Sequence, residues 1–81
     1  MKYTKFNRHD HMTSEVMNEI MSIKNELFDS STPSNLINML YGLYDGYLYE
    51  NLIIECQSLD VKMYTRVRDL YFTCKDYPVL D

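Results

Sequence analysis

The chain contains almost nothing that would break a helix. Gly42 and Gly46 are its only glycines and Pro33 and Pro78 its only prolines, and the one stretch dense in turn-forming residues is "DSSTPS", residues 29–34. Glycine and proline cost roughly 1 and 3 kcal/mol inside a helix relative to alanine. The segments between these points are free to run on as helix, so the question is whether their apolar residues recur at helical spacing.

In the first segment they do. Thr13 or Ser14 offers an N-cap, Glu15 suits the first turn, and Val16, Ile20, Ile23 and Leu27 follow at spacings of four, three and four. The pattern predicts a helix over 14–28. At about 100° per residue, Glu15, Glu19, Ser22, Glu26 and Asp29 share the side opposite the apolar sector, an acidic ridge. Lys24 projects into the apolar sector instead. Either its stem lies along the core edge with the amine in water, or it reaches a carboxylate or a bound anion.

Thr32 and Pro33 suit the N-cap and first position of a second helix. Leu36, Leu40, Leu43 and Tyr47 carry the stripe onward and predict helix over 33–57, kinked or split near Asp45–Gly46. "LYGLYDGYLYE", 40–50, crowds four tyrosines around the two glycines. Tyr44 and Tyr47 extend the leucine stripe and Tyr41 flanks it. Tyr49 falls on the side of Gly42, Asp45 and Gly46, a face with little bulk on which another helix or chain can approach closely.

Over residues 61–67 two periods compete. Val61, Met63, Thr65 and Val67 alternate as in a strand, but Met63, Val67, Leu70 and Cys74 form a helical stripe that explains more of the segment, with Asp60 as cap. A helix over 60–74 is expected. Val61, Arg68 and Phe72 share its side away from the stripe, covered by a terminal segment or touching another chain. The expected fold is all-α, a small antiparallel three-helix bundle over 13–75, with a basic arm over 1–12 and an extended tail over 76–81.

Eighty-one residues make one domain, near the size at which a partner or an oligomer often completes the core. Hydrophobic residues make up 46% of the chain, too many for a disordered segment, yet no apolar run has the roughly 18 to 20 residues of a membrane span. The first residues lack the apolar stretch of a secretory signal, so a cytoplasmic location is expected, host cytoplasm if the chain is phage-encoded, with Cys56 and Cys74 as reduced core thiols rather than a bridge. Alanine and tryptophan are absent and Tyr, Asn, Ile, Met and Lys abundant, the vocabulary of AT-rich coding DNA and hence of a phage, mobile element or low-GC bacterium.

The net charge of -4 is uneven. Between Ser14 and Asp60 the acids Glu15, Glu19, Glu26, Asp29, Asp45, Glu50, Glu55 and Asp60 face Lys24 alone, while Lys2, Lys5 and Arg8 make the N-terminal segment basic. His9, Asp10 and His11 could supply metal ligands, but a zinc site wants three or four at compatible spacing, with the rest drawn from distant Cys56 or Cys74; no metal or cofactor is expected. No catalytic motif or phosphate loop is present, and an enzyme is not expected. The central tyrosines have no interleaved cations, which argues against direct DNA or RNA binding.

What is expected is a protein-interaction module, an accessory protein of a phage or mobile element that modulates or inhibits a host protein. Glu15, Glu19, Glu26 and Asp29 would meet a basic surface, with Tyr49, Arg68 and Phe72 as further contacts and Lys24 as an anion contact. Two alternatives stand beside it. One is a nucleotide-binding or sequestering protein stacking its ligand on Tyr3 or the central tyrosines, with Lys24, Arg66 or Arg68 on phosphate. The other is a homo-oligomeric assembly subunit.

Overall fold

The computed structural model describes residues 3–7, 13–29 and 32–79. In chain order the elements are β1 (Tyr3–Lys5), α1 (Ser14–Phe28), α2 (Ser34–Tyr44), β2 (Tyr47–Tyr49), the short α3 (Leu52–Glu55) continued by a 3-10 turn (Cys56–Ser58), and α4 (Val61–Lys75). The molecule is mostly helical but not all-α, because β1 and β2 pair as an antiparallel ribbon.

The two outer long helices begin as their caps dictate. Thr13 Oγ1 accepts the Val16 amide at 3.2 Å, and Asp60 Oδ1 accepts the Met63 amide at 2.8 Å. Residues 61–67 are thereby helical, and the Thr65 and Thr73 hydroxyls donate to the Val61 and Asp69 carbonyls one turn back, which satisfies them within the helix. At α2 the start is one residue later than expected. Pro33 occupies the N-cap position in extended backbone, and its carbonyl accepts from the Leu36 amide at 3.1 Å.

The expected second helix of 33–57 divides at Asp45–Gly46. Gly46 has φ of 99°, a left-handed conformation that side chains with a Cβ resist, and its amide bonds back to the Leu43 carbonyl at 3.1 Å. That closes α2 and turns the chain. Tyr47, Leu48 and Tyr49 then form strand rather than more helix, with Leu48 buried inward and the tyrosines on the other face. Aromatic residues suit a strand, and here a partner is within reach: Tyr3, Thr4 and Lys5 pair with Tyr49, Leu48 and Tyr47.

The N-terminal segment read as a basic arm therefore contributes structure. Phe6 is buried, its amide donates to the Gly46 carbonyl at 2.9 Å, and its ring meets Tyr77 at 5.3 Å. On the other edge the Asn7 amide donates to the Pro78 carbonyl at 3.0 Å and Phe6 bridges Val79, so the extended C-terminal segment lies along the first strand. The core beneath is hydrocarbon: Ile20, Ile23 and Leu27 from α1, Leu36, Met39, Leu40 and Leu43 from α2, Leu52, and Val67 and Leu70 from α4. Cys56 and Cys74 are buried there as free thiols. Burial pushes both thiol pKa values up, that of Cys74 to about 12, so near neutral pH they behave as small apolar groups.

Candidate functional site

α1 and α4 lie against each other in opposite directions, and a groove runs between them. One end, of about 260 Å³, is lined by Glu15, Val16, Glu19, Arg66, Asp69, Leu70 and Thr73; the other, of about 460 Å³, by Glu26, Leu27, Thr32, Pro33, Ser58, Leu59, Asp60 and Met63. A smaller depression of about 220 Å³ between them is lined by Glu26, Asp60, Lys62, Met63 and Arg66. Apolar residues floor the groove at both ends and carboxylates stand on both rims.

Arg66 spans its middle. One terminal nitrogen of the guanidinium donates to Glu19 Oε1 and to Ser22 Oγ, and the other donates to Glu26 Oε2 at 2.6 Å. Glu19 and Glu26 are two helical turns apart on α1, so a planar fork placed between them reaches both. The hydrogen bonds it donates to Glu19 and then to Glu26 raise the Arg66 pKa above its already high ordinary value, so this cation is permanent. Two carboxylates of the expected ridge are thus occupied by the chain's own arginine. Glu15 and Asp29 are exposed, Glu15 at the groove and Asp29 at the C-terminal cap of α1.

Lys24 neither holds its amine out in water nor reaches a carboxylate among the described residues. Its side chain is buried, with the residue only 8% exposed, and no carboxylate pairs with it among the described residues; Nζ donates to Tyr41 Oη at 2.7 Å and lies 4.3 Å from the centre of that ring. Tyr41 is 46% exposed, so a phenol stands between this amine and solvent.

Tyr49 answers for Gly42. It does not leave that glycine open to a neighbouring chain, because its own ring lies on it: a Cβ added there would stand 2.5 Å from Tyr49 Cε2 and Oη. Tyr3 packs over the same face, with ring centres 5.1 Å from Tyr47 and 6.1 Å from Tyr49, and Lys5 Nζ lies 5.6 Å from Tyr47. Tyr49 is correspondingly half-buried and belongs to the fold, not to a free surface.

Arg68 and Phe72 do share an outward face of α4, with Val61 and Lys75. Val61 is 82% and Phe72 52% exposed. Arg68 lies 5.9 Å from the Tyr64 ring, and Lys75 lies 5.9 Å and 6.0 Å from the rings of Tyr71 and Phe72. These distances sit at the outer limit of a cation–π contact.

The structure thus joins Glu15, Glu19 and Glu26 in one groove, sets Arg68 and Phe72 on a second face, and places Tyr49 and Lys24 elsewhere. Asp60 and Asp69, also in the groove, carry no site signal in the sequence, and Lys62 and Arg66 read there only as cations for a nucleotide or nucleic acid. Arg66 flanks the apolar stripe of its helix by about 60°. That is a position from which a long side chain crosses to a neighbouring helix, but the helix it crosses to is not written in its own segment. His9, Asp10 and His11 lie outside the described residues, within which no group of three or more potential metal ligands occurs. Among the described residues no helix is long and apolar enough to cross a membrane. Comparison with protein-family models, with curated proteins and with solved structures finds no match.

Proposed function

We propose that this chain is a protein-interaction module and that the groove between α1 and α4 is its binding surface. The supporting observation is the groove's composition. Glu15, Glu19, Glu26, Asp60 and Asp69 are set against only Lys62 and Arg66, over floors supplied by Val16, Leu70, Leu27 and Met63. The complementary ligand is a basic segment carrying apolar side chains, most simply an amphipathic helix of another protein. The AT-rich vocabulary supports the narrower form, a phage or mobile-element accessory protein that acts in the cytoplasm by occupying and inhibiting a host protein.

The nucleotide-binding alternative loses support on geometry. Tyr3 packs on Tyr47 and Tyr49, Lys5 lies over Tyr47, Lys24 is buried under Tyr41, and the Arg66 fork faces two carboxylates.

The test uses residues outside the Arg66 clasp. A lysine-rich amphipathic helical peptide, titrated into isotope-labelled protein, should shift amide resonances along both groove rims and bind more weakly as salt rises. Glu15→Lys combined with Asp69→Lys should weaken that binding about 10-fold or more, as expected for two reversed charges at a steering surface. Unchanged affinity in the double variant, or shifts confined to another face, would remove the groove as the binding surface.

A further inference from the structure

The outward face of α4 and the groove beside it are opposite in charge. Arg68 and Lys75 stand on the face with the exposed apolar side chains Val61 and Phe72. The groove carries five carboxylates against two cations. Both surfaces are built on the same helix, on flanks about 130° apart around its axis, so neither blocks the other.

We propose that the outward face of α4 docks into the α1–α4 groove of a second copy of this chain, so that copies associate head to tail. The inference rests on the groove being a binding surface for basic and apolar side chains, and it names the first ligand with that chemistry. Val61 and Phe72 are eleven residues apart, about 16 Å along a helix, while the two wider ends of the groove are centred roughly 12 to 14 Å apart on α4. One docked helix therefore sets an apolar side chain near each end, with Arg68 between them facing the clasp, whose two carboxylates outweigh its single arginine.

Charge selects head-to-tail over two-fold pairing. Laying the outward face on its own symmetry mate brings Arg68 and Lys75 of both copies together, with Asp69, 3.9 Å from Arg68, as only a partial offset, and apposed like charges are costly. A head-to-tail contact leaves one groove and one face unfilled at its ends and so continues into a ring or an open chain.

The experiment is sedimentation of the full chain and two charge variants. Wild-type protein should gain mass beyond a dimer with rising concentration and lose it in high salt. Arg68→Gln with Lys75→Gln removes the cations of the face, keeps the groove and adds no carboxylate for a lysine to attract; Glu15→Lys with Asp69→Lys does the reverse. All four positions are exposed, and thermal unfolding followed by circular dichroism confirms that each variant folds. Each variant alone should be monomeric, with association weakened at least about 10-fold. Mixed in equal amounts, they should form a dimer and nothing larger, because one good face then meets one good groove. A wild type that stays monomeric, variants that still associate alone, or a mixture that stays monomeric would each overturn the proposal. Titrating the face variant with the basic peptide separates the two claims: if the wild type does not self-associate, peptide binding by this intact groove removes only the self-docking, and absence of peptide binding removes the groove itself.

Discussion

The first long helix makes two contacts of opposite character. Toward α2 it presents Ile20, Ile23 and Leu27, and the two helices close over a hydrocarbon core with Lys24 and Tyr41 at the side. Toward α4 the contact stays open at both ends and is bridged in the middle by Arg66 on Glu19 and Glu26. Close packing gains from every methylene removed from water, whereas a half-exposed ion pair contributes little and demands particular geometry. The closed contact therefore holds the molecule together. The open one is where apolar floor and exposed carboxylates such as Glu15 and Asp69 remain for something else to use.

The largest expected effect follows from that division. Leu40 is fully buried on α2, and Leu40→Ala should cost about 2 to 5 kcal/mol through lost burial and the cavity left behind. A urea melt measures it. For a domain of this size that is a large share of total stability, and a loss under about 1 kcal/mol would mean that the two contacts of α1 do not divide the labour as described.

Breaking the open contact should have a smaller effect and a sign that differs between two readouts. Arg66→Met keeps the length and the apolar stem but removes the fork. Stability should fall by about 1 to 2 kcal/mol, a figure discounted for the exposure of all three partners, and less in high salt. At the same time Glu19 and Glu26 lose their internal cation, so affinity for a basic peptide should rise several-fold. A variant that lost stability and affinity together would show that Arg66 organises the groove for binding instead of competing with the ligand.

The same division explains what could be read from sequence. α1 was legible to the residue, because a capping threonine and an uninterrupted four-three-four stripe are local facts; α4 was legible to within one residue at each end, where the helical period of Met63, Val67, Leu70 and Cys74 outweighed a strand-like alternation. The β-ribbon was not. Tyr47–Tyr49 continues a helical stripe by spacing, and only the left-handed turn at Gly46 and a partner more than forty residues earlier make it a strand. A three-residue strand has too little alternation to be seen alone. Likewise the acidic ridge was visible as a row on one helix, while its occupation by Arg66 depends on which helices become neighbours. Local pattern reaches element and face, and pairings across 40 residues or more lie beyond it.

The smallest effect isolates one place where the ribbon grips a helix. Gly42 lies in α2, where replacing glycine by alanine normally gains about 1 kcal/mol from backbone entropy. Here the added methyl meets the far end of the Tyr49 ring at 2.5 Å. That ring can swing, but doing so gives up its place on α2 and disturbs its packing with Tyr3, which lies 6.1 Å away. The two terms are of similar size and opposite sign, so Gly42→Ala alone should change stability by less than about 1 kcal/mol while shifting the ring resonances of Tyr49 and Tyr3. In a Tyr49→Ala background the obstruction is gone, and the same substitution should then gain nearly the full ~1 kcal/mol of helix propensity. A double-mutant cycle in denaturant measures the difference. If Gly42→Ala had the same effect in both backgrounds, Tyr49 would not be the reason that a glycine stands at that position, and the ribbon's hold on α2 would have to come from Leu48 and Phe6 alone.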